Sequence, residues 1–283
     1  MGESPLKSKF LSDGFLVIED FFTKDEVDEL KKAGDELIDK SLSESRKAIF
    51  STIKTSQSKD TYFLESGDRI SYFYEADAFD KSGELLVEAS ESLNKVGHAL
   101  HWLHPTFKRS TFHPRVKELC HQIGLIEPRV TQSMYIYKNP GVGSEVKPHQ
   151  DASYLYTEPQ ELYGLWFPLE DATLENGCLW FIPGSHKSGV HTRYKRNPDK
   201  SSSELLIYDK PTQYYAASLF RPVPVNKGAC VLIHGQVVHK SDHNKSKKSR
   251  HAYTFHIFDA HKSKWSPENW LQTKTDFPEL YKN

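Results

Sequence analysis

The sequence predicts a mainly β protein with flanking helices, built around a double-sheet jelly roll. From residue 129 the chain becomes a series of short aromatic and β-branched segments separated by Pro, Gly, Asn and Asp, a pattern typical of successive antiparallel strands. A run of about seven strands at this spacing suits two facing sheets. Before residue 129, apolar residues recur mostly at helical spacing. We therefore expect one domain over 1–283, with a mostly helical support (1–128), a jelly-roll core (129–262) and a C-terminal tail (263–283).

The N-terminal part is expected to open with a short strand, residues 14–20 (GFLVIED), and a long helix. Thr23 and Glu26 have the spacing of a capping box, which marks a helix start, and the apolar stripe after them continues to about Leu42. Beyond this helix, the patterns predict a mobile polar loop over 43–59, a hairpin from 62–64 and 69–74, a helix over 92–101, and a helix between Pro114 and Gly124.

Most of the second half is expected to be strand. The predicted strands are 130–138 (VTQSMYIYK), 149–157 (HQDASYLYT), 163–171 (YGLWFPLED), 177–185 (GCLWFIPGS), 220–225 (FRPVPV), 229–239 (ACVLIHGQVVH) and 251–258 (HAYTFHIF). The Asn-Gly pair within 175–177 predicts a hairpin turn, because these residues readily adopt positive φ. Residues 187–217, rich in Lys, Ser and Tyr, interrupt the strand pattern, and a loop of this length is either a functional lid or disordered.

Composition and charge narrow the function. The chain has 37 basic and 38 acidic residues, a net charge of -1, so neither nucleic acid nor an anionic membrane is an expected partner. No apolar run approaches the length of a membrane span. The N-terminus MGESPLKSKF lacks a signal-peptide core and the C-terminal LYKN is not a peroxisomal address, and the three cysteines suit a reducing compartment. We expect a cytoplasmic protein that acts on a small-molecule or acyl substrate, with its oligomeric state open.

A metal site is predicted from two histidines and an aspartate. His149 and Asp151 are two positions apart on a predicted strand, so their side chains would point to the same side of the sheet. His239 lies near the end of a later apolar run and could supply a third ligand. Two histidines and one carboxylate leave the remaining coordination positions open, as in non-haem Fe(II) oxygenases.

Arg250 and Ser241 are candidates for binding an anionic co-substrate. Arg250 directly precedes the strand 251–258, where a guanidinium could bind the distal carboxylate of a keto acid through two hydrogen bonds. Ser241 would share a strand face with His239 and could add a hydroxyl to that carboxylate. The alternative for Arg250 is an exposed arginine in the basic run 245–250 (KSKKSR).

Other histidines and tryptophans are expected to be structural. The run HALHWLH contains His98, His101 and His104, which drift off one face of a helix and are not favoured as metal ligands. From their surroundings alone, Trp166 and Trp180 are most simply core aromatics.

Long segments of the chain resemble the phytanoyl-CoA dioxygenase family of 2-oxoglutarate-dependent oxygenases, over nearly the whole length. These segments are SGDRISYFYE, LNKVGHALH, QSMYIYK, VKPHQDASYLYTEP, EDATLENGCLWFIPGSHKSGV, KGACVLIHGQVVHKS, RHAYTFHIF and WSPENWLQ. The resemblance implies a double-stranded β-helix that binds Fe(II), 2-oxoglutarate and O2, with ascorbate a candidate reductant. It implies iron ligation by His149, Asp151 and His239, and 2-oxoglutarate binding by Arg250 with help from Ser241, Trp166, Met134 and Lys95. Residues 187–217 match the family least.

The activity implied is an Fe(II)- and 2-oxoglutarate-dependent dioxygenase that converts 2-oxoglutarate to succinate and hydroxylates an unidentified substrate. Three alternatives remain: a non-catalytic jelly-roll module that binds metal or 2-oxoglutarate, a phytanoyl-CoA 2-hydroxylase proper, and a zinc hydrolase. Catalytic zinc usually takes three histidines or a His/Glu set and has no need of Arg250. A halogenase is disfavoured because Asp151 fills the position that a halide would need.

Overall fold

The computed structural model of this protein describes residues 5–44, 46–51 and 56–283. The helices are α1 (Pro5–Asp13), α2 (Lys24–Leu42), α3 (Thr61–Leu64), α4 (Leu100–Leu103), α5 (Pro105–Thr111) and α6 (Pro114–Gln122). The strands are β1 (Phe15–Ile18), β2 (Ala48–Phe50), β3 (Ile70–Glu75), β4 (Leu93–His98), β5 (Pro128–Ile136), β6 (Val146–His149), β7 (Thr157–Glu158), β8 (Leu162–Pro168), β9 (Leu179–Phe181), β10 (Tyr194–Arg196), β11 (Leu206–Tyr208), β12 (Arg221–Val223), β13 (Cys230–His234), β14 (His239–Ser241), β15 (Ala252–Asp259) and β16 (Lys264–Trp265).

Two sheets form the body of the molecule. The larger has eight strands in the order β1-β13-β8-β15-β5-β4-β3-β2, and the smaller has four in the order β12-β9-β14-β6. Their facing sides share one apolar cluster, in which Phe15 of β1 stacks on Phe181 of β9 with ring centroids 4.2 Å apart. The prediction of a mainly β jelly roll with flanking helices is confirmed.

Helices α2, α5 and α6 cover the opposite side of the larger sheet. Leu30 and Leu37 of α2, Phe107 of α5 and Val116 of α6 are all fully buried in one cluster with strand residues such as Tyr135. The predicted capping box begins α2: the Thr23 hydroxyl accepts from the Glu26 backbone N–H, and the Glu26 carboxylate accepts from the Thr23 N–H at 2.7 Å. None of the described helices combines the length and apolarity needed to cross a membrane.

The prediction of a helix over residues 92–101 is wrong. Leu93–His98 is strand β4, which pairs with both β3 and β5. The positions that suggested helical spacing, Leu93, Val96 and Leu100, are fully buried. A central strand with both faces covered loses the alternation of polar and apolar residues, so its sequence is easily taken for a helix.

Two further predictions before residue 128 need correction. Residues 62–64 do not form one arm of a hairpin: Thr61–Leu64 is a helical turn, capped by the Asp60 carboxylate, which accepts from Tyr62 N–H at 2.8 Å. The segment 43–59, expected to be a loop, contains β2, which pairs with β3 in parallel. Residues 45 and 52–55 of that segment lie outside the described part of the chain.

In the second half, the strand predicted over 149–157 is wrong, because β6 ends at His149 and Asp151–Ser153 forms a 3-10 turn. The other predicted strands each overlap an observed one. The turn at 175–177 exists, with Gly177 at φ +86, but it joins β8 to β9, which belong to different sheets. It is therefore a connection between sheets and not a hairpin turn.

Candidate active site

A cavity of about 810 Å³ lies between the two sheets. Its walls come from strands of both sheets and from residues 187–217. Every residue that the sequence singled out for metal or 2-oxoglutarate binding lines this one cavity: His149, Asp151, His239, Arg250, Ser241, Trp166, Met134 and Lys95.

Strand pairing brings the two predicted histidine ligands together. His149 ends β6 and lies directly opposite His239, which begins β14, and their ring centroids are 4.2 Å apart. Asp151 Oδ1 lies 3.5 Å from His149 Nε2 and 3.6 Å from His239 Nε2. One ligand atom from each residue falls within 4.8 Å of the others, the only such group of three among the described residues. A single metal ion fits between these three atoms.

Asp151 reaches the site although it does not lie on the strand. The intervening Gln150 keeps an extended backbone, φ -114 and ψ 135, so His149 and Asp151 still point to the same side. Gln150 is buried, donates to the carbonyls of Gly189 and Gln236 at 2.8 and 2.6 Å, and accepts from His191 N–H at 2.8 Å. This glutamine therefore fixes the turn that carries the carboxylate.

Both histidines present Nε2 to the centre of the site. The Nδ1 of His149 lies 2.8 Å from the Lys147 carbonyl, and the Nδ1 of His239 lies 3.1 Å from the Val237 carbonyl. Because a carbonyl only accepts, each Nδ1 carries the proton and each Nε2 keeps a free lone pair. Such a backbone partner orients metal-binding imidazoles in general.

The protonation states of Asp151 and His239 suit the binding of a cation. Burial raises the pKa of Asp151, but His239, His256 and the hydrogen bonds of its carboxylate hold that pKa well below its usual range. Burial lowers the pKa of His239 to about 4, with the nearby His149 as the next cause. A carboxylate and neutral imidazoles are the forms that bind metal.

Arg250 is buried and lacks an anion. Its side chain is 2% exposed, so the alternative of a surface arginine is excluded. Its guanidinium carbon lies 5.1 Å from the Trp166 ring centroid, and its Nε and Nη1 have no hydrogen-bond partner among the described residues. Burial lowers the Arg250 pKa to about 10, which leaves it charged at neutral pH. A buried unpaired charge is costly, so the site is suited to a bound anion.

The other residues predicted to contact 2-oxoglutarate differ in the groups that they present to the cavity. The Ser241 hydroxyl already donates to the Gly177 carbonyl at 2.9 Å, so it would have to rotate to donate to a ligand. Lys95 Nζ lies 3.4 Å from the Phe50 ring centroid, and burial lowers its pKa to about 7, with Glu75 raising it in part. Met134 lines the cavity from β5.

Sequence reasoning missed one residue of this site. His256 Nε2 lies 3.1 Å from Asp151 Oδ2. The signal was present in the strand 251–258, because residues 250, 254 and 256 alternate onto one face, and all three line the cavity.

Part of the cavity wall is aromatic. Tyr154, Tyr194, Tyr208 and Trp270 line it, together with residues 210–215. The loop expected over 187–217 therefore does border the cavity, but it is not without regular structure, because β10 and β11 form an antiparallel pair within it.

The fold and the paired histidines with their aspartate define the structural class: a jelly roll of the kind found in 2-oxoglutarate-dependent oxygenases. One solved example is the epimerase SnoN from nogalamycin biosynthesis, in complex with Fe3+, alpha ketoglutarate and nogalamycin RO. It matches this chain over 97% of each chain, with a TM-score of 0.62 and 18% sequence identity.

Sequence comparison gives the family. Residues 10–252 match the model of the family described as phytanoyl-CoA dioxygenase (PhyH). Phytanoyl-CoA dioxygenase domain-containing protein 1 of Danio rerio is 48% identical over 282 residues, which covers 96% of each chain. The Caenorhabditis elegans homolog of that protein is 45% identical over 285 residues, or 98% of this chain and 99% of its own. The chain belongs to the phytanoyl-CoA dioxygenase family.

Proposed function

We propose that this protein is an Fe(II)- and 2-oxoglutarate-dependent dioxygenase, which converts 2-oxoglutarate to succinate and CO2 and hydroxylates a second substrate. The observation that carries the proposal is the presence of two complementary binding groups in one cavity. His149, Asp151 and His239 offer a cation site, and Arg250 offers an anion a buried cation whose Nε and Nη1 have no hydrogen-bond partner among the described residues. A cation site alone would also suit a hydrolase, whereas the arginine is explained by an anionic co-substrate.

The donor set fits iron. Two imidazole nitrogens and one carboxylate oxygen leave the other positions of an octahedral ion open, which is the ligand set of non-haem Fe(II) oxygenases. When bound, iron would supply the oxidising chemistry with O2. The protein would supply His149, Asp151 and His239 as ligands, and the walls of the cavity would limit access of water.

The chain's own residues would orient 2-oxoglutarate. Arg250 would bind the distal carboxylate, because its partnerless Nε and Nη1 can each donate a hydrogen bond. Trp166 would hold the guanidinium through its ring face. Lys95 and Met134 line the same cavity, where the Lys95 amine would add a second positive charge for a molecule with two carboxylates.

Succinate formation tests the proposal. Purified protein supplied with Fe(II), O2 and 2-oxoglutarate should form succinate slowly without a second substrate, because the Arg250 and metal-binding groups are complete without it. Asp151→Ala should abolish this turnover, and the control Asp199→Ala, which alters an exposed carboxylate, should not change it. Full succinate formation by Asp151→Ala would refute the metal assignment.

The second substrate would bind against the aromatic part of the cavity wall. A panel of free acids, acyl-CoAs and N-methyl lysine peptides should be screened for stimulated succinate formation with matching hydroxylated product. We infer that turnover does not depend on phytanoyl-CoA. Stoichiometric hydroxylation of phytanoyl-CoA coupled to succinate would instead make the protein a phytanoyl-CoA 2-hydroxylase. Binding of 2-oxoglutarate without succinate formation under any of these conditions would reject the oxygenase and leave a non-catalytic binding module.

A further inference from the structure

We propose that His256, itself held by Gln132, is a positioning residue that restricts Asp151 to metal binding through one carboxylate oxygen. This inference rests on the proposed function, because it concerns the same metal site. It assigns a role to two residues of adjacent strands that are not themselves among the three predicted ligands.

The two oxygens of the Asp151 carboxylate face different partners. Oδ1 lies toward the two ligand histidines, 3.5 Å from His149 Nε2 and 3.6 Å from His239 Nε2. Oδ2 lies 3.1 Å from His256 Nε2. Asp151, His239 and His256 are each less than 10% exposed, so these contacts are little weakened by water. One oxygen therefore faces the metal position while the other is held by a hydrogen bond.

Gln132 selects the form of His256 that this bond requires. A carboxylate only accepts hydrogen bonds, so His256 Nε2 must carry a proton. In a neutral imidazole, Nδ1 then accepts, and Gln132 Nε2 lies 3.3 Å from His256 Nδ1 as the donor. Gln132 and His256 are direct cross-strand partners on β5 and β15. The pairing of these strands thus fixes the direction in which the imidazole points.

The neighbouring strand leaves room for this arrangement. Gly164 of β8 is the cross-strand partner of His256 on its other side. A Cβ at Gly164 would lie 3.3 Å from Asp151 Oδ2 and 3.4 Å from His256 Nε2. Any larger side chain would therefore press on the bond between the imidazole and the carboxylate. The adjacent strands β5, β15 and β8 thus contribute Gln132, His256 and the space at Gly164, in that order.

The consequence concerns the open positions on the metal. If Asp151 binds through Oδ1 alone, the three protein ligands take three positions of an octahedral ion and leave three. A keto acid that binds through two oxygens then leaves one position for O2. If Oδ2 rotated toward the metal, it would compete for one of those positions. His256 would therefore act on the metal through Asp151 and would not itself be a ligand.

The test uses full-length, metal-depleted protein and Co(II) as a spectroscopic probe that needs no turnover. Co(II) titration gives affinity, and the intensity of its visible bands reports coordination number. His256→Leu should weaken Co(II) binding by about 10- to 100-fold, as removal of outer-shell partners does in other metal sites, and should change the bands seen after 2-oxoglutarate addition. His256→Gln, whose amide can donate near the position of Nε2, should restore most of the affinity and the wild-type bands.

Two further variants separate positioning from a loss of folding. Gln132→Leu should shift affinity and bands in the same direction as His256→Leu, by a smaller factor, because the imidazole remains. His121→Leu removes an exposed histidine of α6, one that does not line the cavity, and should leave the Co(II) spectrum unchanged. Wild-type affinity and bands in both His256→Leu and Gln132→Leu would overturn the inference. The proposed function would instead be overturned if the wild-type protein failed to bind Co(II), or if its Co(II) bands did not change when 2-oxoglutarate was added.

Discussion

The guanidinium of Arg250 lies over the ring of Trp166, with its central carbon 5.1 Å from the ring centroid. An aromatic face attracts a cation without neutralising it. The tryptophan can therefore hold the arginine in place while its Nε and Nη1 have no partner in the described part of the chain. Trp166 of β8 thus holds Arg250, two residues before β15, in position before any anion binds.

Replacing Arg250 should separate co-substrate binding from metal binding. Arg250→Met removes a buried guanidinium, which should cost about 2–5 kcal/mol of 2-oxoglutarate binding and leave Co(II) affinity unchanged. Arg250→Lys should not restore binding, because an ammonium cannot form the paired hydrogen bonds of a guanidinium. The 2-oxoglutarate dependence of succinate formation measures the effect. An unchanged dependence would point to another cation in the cavity, with Lys95 the first candidate.

We expect Lys95 to lower the free energy of unfolding while it contributes to 2-oxoglutarate binding. Its amine is buried beside Phe50, and burial lowers its pKa to about 7 from the ordinary 10.5. Lys95→Met keeps a side chain of similar length without a buried charge, so it should raise the free energy of unfolding at pH 7 by about 1–3 kcal/mol. The same variant should weaken 2-oxoglutarate binding. Denaturant unfolding and succinate assays would show the two opposite effects, and a less stable Lys95→Met would contradict the account.

The stability difference between wild type and Lys95→Met should depend on pH in a defined direction. Because the folded-state pKa lies below the unfolded value, the unfolded chain binds more protons between pH 7 and 10.5, and wild-type stability gains with rising pH in that window. The advantage of Lys95→Met should therefore shrink from pH 7 toward pH 10. If the stability advantage of Lys95→Met stayed constant over this range, Lys95 would have the same pKa in the folded and unfolded states.

Glu170 should stabilise the segment that carries Arg250. Its carboxylate accepts from the Ser249 hydroxyl at 2.8 Å and the His251 N–H at 2.9 Å, and Lys31 Nζ lies 2.7 Å away. Burial raises the Glu170 pKa, but His251 and the hydrogen bonds to its neighbours bring it down to about 2. Allowing for solvent screening, Glu170→Gln should cost about 1–2 kcal/mol of stability at pH 7.

The pH dependence of that cost follows from the sign of the shift. A folded pKa of about 2, below the ordinary 4.5, gives stability that is present above pH 4.5 and is lost as pH falls toward 2. Wild type and Glu170→Gln should thus converge in acid. Urea unfolding at pH 7 and pH 3 checks this, with Asp28→Asn, a change in an exposed ion pair that contributes little to stability, as the control expected to converge far less.

The features that could be predicted from the sequence are those with local signals. The capping box of Thr23 and Glu26 and the His-x-Asp spacing depend on residues close together in the chain. The capping box correctly predicted where α2 begins, and the spacing correctly predicted that His149 and Asp151 lie close together. Strand β4 was missed because burial on both faces removes its alternation. The contact of His256 with Asp151 depends on which strands become neighbours, and no spacing in a single sequence reports that order.

The last prediction concerns the space beside the metal site. Gly164 lies within strand β8, and its φ is outside the left-handed region, so alanine can adopt its backbone conformation without strain. The only new feature of Gly164→Ala is a Cβ placed 3.3 Å from Asp151 Oδ2. We expect the carboxylate to shift, Co(II) affinity to fall by about tenfold, and the free energy of unfolding to change by less than about 1 kcal/mol. Titration and unfolding of the same sample measure both effects. Co(II) affinity equal to that of the wild type would mean that Asp151 and His256 can move aside without loss, and that the space at Gly164 does not constrain the site.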